Sequence, residues 1–111
     1  MTWEEFLDTT KEQALASGKL EHIAEYLKID LGDDDTVLIN CVKAAVGYIV
    51  AAVGRFPDDD PKAELLLCAI TEDIYENREL MQMDIQQHKT IEYTYASMIL
   101  QLQLEYDTWE G

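Results

Sequence analysis

Basic residues are scarce in this 111-residue chain: 8 lysines and arginines stand against 23 aspartates and glutamates, a formal net charge of −15. A surface of that sign repels nucleic acid and anionic lipid at long range, which argues against DNA binding or a membrane-surface role. It also opposes self-association at low salt, so a homo-oligomer is expected to assemble better once charges more than about 10 Å apart are screened at 0.1 M salt. Only 2 prolines and 5 glycines interrupt the chain. Long periodic segments therefore dominate, and the fold class should be all-α. With His22 and His88 the sole histidines and no cysteine pair nearby, structural zinc lacks a ligand set. No glycine-rich phosphate loop, internal repeat or low-complexity tract is present. The acidic start Met1-Thr2-Trp3-Glu4-Glu5 is unlike the basic region of a signal peptide, so a chain made and kept in a cytoplasm is expected.

What is there reads as one domain, a small bundle of four to five helices. Hydrophobic residues make up 48% of the chain, which argues against disorder despite the charge. A short amphipathic helix is expected over 3–15, stopped by Ser17-Gly18, with Trp3, Phe6, Leu7 and Ala14 toward one side. A second, over 19–29, gathers Leu20, Ile23, Ala24 and Leu27 on one face, and Gly32 is its natural terminator. The next, over 35–54, is nearly apolar all round, with Asn40 and Lys43 its clearly polar interruptions. Such a helix is central in a domain or shared with a partner. As a membrane span it reads as too short and too interrupted, since a span needs roughly 20 apolar residues. The small residues Ala44, Ala45, Gly47, Ala51 and Ala52 would let neighbouring helices approach closely. Asp60 as cap and Pro61 at the first helical position open a helix over 61–80, with Leu66, Ile70 and Ile74 recurring along its buried face. Residues 81–90 turn polar and are expected to fray or loop. The stretch 91–106 fits helical spacing and also shows strand-like alternation; helix is preferred, because no second strand is evident for pairing. Cys41 and Cys68 fall on different apolar helices and read as buried thiols rather than a disulfide.

Few constellations here carry chemistry. The aspartate runs 33–35 and 58–60 lack EF-hand spacing and read as solvated helix starts. Glu72, Glu76 and Glu79 sit on adjacent turns and could hold Mg²⁺ as in all-α nucleotide pyrophosphatases. That chemistry needs a facing acidic pair, for which Glu5 with Asp8 is the best candidate. Asp84 and His88 share a helical face but make only two ligands. Neither Ser17, Ser97, Cys41 nor Cys68 has a local histidine or a glycine-bounded elbow. Another reading is an acidic DNA mimic that occupies a host nucleic-acid-binding protein. Trp3 and Trp109 either pack on the domain or anchor a partner, as large aromatics do at interface centres.

The cluster Tyr75-Glu76-Asn77-Arg78-Glu79 stands apart. Arg78 has Ile74 and Gln82 four residues away and Tyr75 and Met81 three away, so no carboxylate lies at the spacings where helix neighbours meet. Its partner is expected on another helix or another subunit.

In order along the chain, Tyr26-Leu27-Lys28-Ile29-Asp30, an acidic linker, an apolar helix with Ala45 and Tyr48, Gly54-Arg55 and Tyr75-Glu76-Asn77-Arg78-Glu79 make a set that resembles the phage head-tail connector family over about residues 21–80. The segment before Lys19 is longer than that family's usual start. The resemblance implies a non-catalytic, cofactor-free helical adaptor. It divides into an N-terminal extension 1–18, a core 19–81 and a C-terminal segment 91–106. Such an adaptor docks as a homo-oligomeric ring beneath the portal protein, meets a tail-side completion protein, and lines a channel through which DNA passes without specific binding. It implies a place in the virion, reached through the host cytoplasm, and no membrane association. Tyr75 to Glu79 would act structurally, with Arg78 locking helices or subunits, and Trp3, Arg55 and Trp109 are the partner-facing candidates.

Overall fold

A computed structural model describes residues 1–32, 35–76 and 95–106. Among them are six helices and no strand: α1 (Trp3–Phe6), α2 (Lys11–Ala16), α3 (Leu20–Leu27), α4 (Asp35–Val53), α5 (Pro61–Glu76) and α6 (Ala96–Glu105). The class is all-α. The preference for helix in the last segment holds over Ala96–Glu105. Residues 81–90 lie outside the described residues.

The single N-terminal helix expected over 3–15 is two helices, and the reason is local. Thr2 accepts the amide of Glu5 while the Glu5 carboxylate accepts the amide of Thr2; Thr10 and Gln13 repeat the arrangement. Each reciprocal pair satisfies amides that a helix start leaves without partners, and each requires an extended residue at the cap. Thr10 therefore breaks the helix (φ −76°, ψ 168°), and the Thr9 hydroxyl closes α1 by donating to the Phe6 carbonyl at 2.6 Å. At the end of α3 the terminator is Lys28, in the left-handed region at φ 59°, ψ 43°, rather than Gly32. The Lys28 amide then reaches back to the Glu25 carbonyl at 3.2 Å and the Ile29 amide to the Ala24 carbonyl at 3.0 Å, capping two carbonyls through a position glycine usually takes.

Helix α4 is the centre. It packs most extensively on α5 and also touches α1, α2 and α6, while α3 lies on α5. Leu38, Val42, Ala45, Val46, Ile49 and Val53 form its buried stripe. By length and composition alone α4 could cross a membrane, contrary to the expectation of a helix too short and too interrupted. Burial of this stripe against four other helices accounts for its apolar character without one. Residues 1–18 are integral rather than an appendage, because Trp3, Phe6 and Ala14 join the same core as α4 and α5. Ile99 and Leu102 do the same from α6.

Helix α5 supplies Ala63, Leu66, Leu67, Cys68, Ile70, Thr71 and Ile74 to that core. Cys41 and Cys68 are buried free thiols, and burial pushes the Cys68 thiol up to about 11. Thr71 is fully buried, and its hydroxyl has no hydrogen-bond partner among the described residues. A buried unsatisfied hydroxyl costs stability that an isosteric methyl does not. Thr71→Val is expected to raise unfolding free energy by about 1 kcal/mol. Urea denaturation of both proteins checks this, and equal or lower stability of the variant would show that the hydroxyl is satisfied.

Candidate functional site

The run singled out by sequence begins at the described end of α5. Tyr75 is half-buried and packs against the core, and Glu76 is exposed. Asn77, Arg78 and Glu79 lie outside the described residues, as do Trp109, Asp84 and His88. Helix α3 runs alongside α5 in the same direction. His22, near its start, pairs with Glu64 through Nδ1 and Oε1 at 2.8 Å. One turn on, partial burial and the fields of Glu72, Cys68 and Asp73 raise the Tyr26 phenol above its ordinary value. Tyr26, from the first piece of the resemblance, is thereby set beside the half of α5 that leads into the last.

A second cluster forms where the C-terminal ends of α4 and α6 meet the start of α5. Asp60 is its hub. One carboxylate oxygen accepts the Lys62 amide at 2.9 Å, which caps α5. The other accepts the Tyr106 hydroxyl at 2.7 Å. Lys62 pairs with Glu105 across the same junction, and the Gln103 side-chain amide donates to the Ala52 carbonyl at 2.8 Å. The Arg55 guanidinium lies 5.3 Å from the centre of the Tyr106 ring, a cation–π contact. Arg55 is exposed, so it remains a candidate for partner contact. Asp60 is buried, which corrects the reading of the 58–60 run as solvated. Its neighbour Asp58 is also engaged, accepting the Trp3 amide at 2.7 Å. The capping role of Asp60 was legible from the proline that follows it. Its bond to Tyr106 spans 46 positions and leaves no local signal.

At the other end of α6, the Tyr95 hydroxyl donates to Asp73 at 2.6 Å and lies 3.4 Å from the Ala69 carbonyl. Burial, with the Asp73 carboxylate, raises the Tyr95 phenol well above the ordinary range. Since Tyr95 meets α5 near its end and Tyr106 near its start, α6 and α5 run antiparallel.

Trp3 is corrected as a partner-facing candidate. It is only 4% exposed, with its ring 5.3 Å from that of Phe6 and 6.1 Å from that of Phe56. The Lys19 ammonium lies over its outer side at 4.4 Å. Burying so large an aromatic surface against two phenylalanines wins over leaving it for a partner.

Among the described residues the carboxylates offered for a Mg²⁺ site, Glu5 on one side and Glu72 and Glu76 on the other, are not brought together; Glu79 lies outside them. Glu5 belongs to α1 and accepts the Thr2 amide, which with the cap's hydroxyl lowers its carboxyl below the ordinary range. Helix α1 is tied to Asp58, ahead of the start of α5, whereas Glu72 and Glu76 stand at its far half, roughly 17 Å further along the axis from Pro61 to Glu72. Among the described residues no group of three or more His, Cys, Asp or Glu is placed to hold a metal ion.

The fold defines a class, a small all-α protein centred on one apolar helix. No family model, curated protein or solved structure matches this chain.

The Asp60–Tyr106 bond gives a signed pH dependence. The Tyr106 hydroxyl, helped by the Lys62 amide, holds the Asp60 carboxyl below its ordinary value, while the same bond holds the Tyr106 phenol above its own. A lowered carboxyl stabilises the fold above its unfolded value of about 3.9 and loses that contribution as pH falls through the folded value. A raised phenol stabilises below its unfolded value of about 10 and loses that contribution as pH rises. Tyr106→Phe is therefore expected to be less stable than the parent by a constant margin between about pH 5 and pH 9, narrowing on both sides. Urea titrations across pH measure the margin; one that stays flat into acid would show that Asp60 does not depend on Tyr106.

Proposed function

We propose that this chain is a phage head-tail connector, a non-catalytic adaptor that docks beneath the portal in a homo-oligomeric ring and extends the DNA channel toward a tail-side completion protein. The observation that carries the reading is the placement of Tyr26 beside Glu72 and Asp73. Tyr26 belongs to the first piece of the resemblance, and Glu72 and Asp73 stand on the stretch of α5 that leads into its last, which supports a docking or subunit surface along α3 and α5. The charge of −15 suits the wall of a conduit, because like charge keeps passing DNA from adhering. The enzymatic alternative is less favoured, since Glu5 is committed to its own helix cap. In this reading the protein acts in the virion and is assembled in the host cytoplasm, with no cofactor.

The decisive experiment mixes the purified chain with the portal ring of the same genome and images the mixture by negative-stain electron microscopy at low and moderate salt. Added ring density beneath the portal is the expected result; bare portals at both salt concentrations would remove the reading. Within it, Arg78 locks helices or subunits through a distant carboxylate. Arg78→Ala is expected to lose portal assembly and to cost about 3 to 5 kcal/mol of stability, the usual consequence of breaking a buried ion pair from one side. An unchanged melting temperature together with unchanged assembly would exclude that role.

A further inference from the structure

Helix α6 is built unlike the other short helices. Reciprocal side-chain caps start α1 and α2, whereas α6 has no side-chain cap at its start, no acidic residue in its first turn and no basic residue in its last. Neither capping nor the helix dipole favours it, and 10 residues are too few for a helix to persist alone in water. It is helical because it is docked. The docking is nevertheless thin. Ile99 and Leu102 are its buried residues where it touches α4 and α5, while Leu100 and Leu104 face water.

Polar ties near its two ends supply the rest. Tyr95 holds the start through its bond to Asp73 on α5. Tyr106 holds the end through Asp60, beside the Gln103–Ala52 bond and the Lys62–Glu105 pair. The Lys62–Glu105 pair is exposed enough that water screens most of its attraction. With both ends tied, α6 does not unravel turn by turn as a helix anchored at one end does. With so little apolar surface buried between the ties, losing one end removes most of what holds the other, and a segment of this kind opens at low free-energy cost relative to a core helix.

We propose that α6 is a strap that leaves and reseats on α4 and α5 as one cooperative unit, with the Tyr95 and Tyr106 hydroxyls as its two clasps, while α1 to α5 stay folded. As the last described helix it can leave without displacing another element. The core that stays behind is closed by residues that do not depend on α6: Trp3, Phe6 and Phe56 pack on one another, and α4 lies along α5 over their longest contact. The open state melts 96–105 and bares the apolar strip of α4 and α5 that Ile99 and Leu102 cover, a strip whose occupant is α6 itself. The inference goes beyond the connector reading and does not rest on it.

Amide hydrogen exchange, followed by NMR on the full chain in water and in low urea, tests the strap in the parent, Tyr95→Phe and Tyr106→Phe. In the parent, the amides of Ile99, Leu102 and Glu105, near the start, middle and end of α6, are expected to share one protection factor. It should be lower than that of Val42 and Ile49 in α4 and depend less steeply on urea, since less surface is exposed in the opening. Each variant should accelerate all three α6 amides by one common factor, roughly tenfold for a hydrogen bond to a charged group, including the amide at the end opposite the substitution. Protection and urea dependence in α6 equal to those in α4 would overturn the proposal. So would acceleration confined to the turn nearest each substitution, or no acceleration in either variant.

Discussion

The constraint on which the structure depends is the burial of α4. A 19-residue apolar helix in a chain with 23 acidic residues has to be covered while the carboxylates stay in water. One amphipathic neighbour cannot do this, and the chain uses four: α5 over the longest contact, α6 to one side, and the short α1 and α2 at another. The short helices contribute mainly through what they bury. Trp3 and Phe6 supply large aromatic surface from a helix of only 4 residues, which could not hold its shape in water without that packing.

Polar groups then fix how the covering helices sit. Lys43 reaches from α4 to the Thr9 carbonyl in the break between α1 and α2, Asp58 takes the Trp3 amide, and Gln103 takes the Ala52 carbonyl. These bonds add less than the apolar contacts, since folding exchanges each for a bond to water. They are directional, however, and that selects one arrangement among several that would bury similar area.

Helix periodicity made much of this legible. The apolar spacing of 35–54 and 61–80 marked α4 and α5, and Asp60-Pro61 marked the start of α5 to the residue. Where the reading failed, a local polar interaction had outweighed hydrophobic periodicity. Thr10 with Gln13 splits the N-terminal helix although Phe6, Leu7 and Ala14 could share one face. Lys28 adopts a left-handed conformation because two backbone bonds close there, four positions before the glycine that local sequence marks as the terminator. The candidate site was less legible. Trp3 looked like a terminal aromatic free for a partner because its phenylalanine neighbour Phe56 is 53 positions away. Asp60 looked like one of three solvated carboxylates because its second donor comes from the far end of the chain.

Tyr95 and Tyr106 are eleven residues apart, about three helical turns, so they emerge from the same side of α6. Each hydroxyl finds an aspartate at a fixed place, Asp73 on the antiparallel α5 and Asp60 at the cap just ahead of it. The pair works as a vernier. A slip of α6 by one residue would swing both phenols by about 100° and break both bonds together. A shift by a whole turn would restore the facing side but misplace both hydroxyls along the axis by about 5 Å. The C-terminal helix therefore has a single seated register, set by these two marks at its ends together with the Gln103–Ala52 bond and the burial of Ile99 and Leu102 between them.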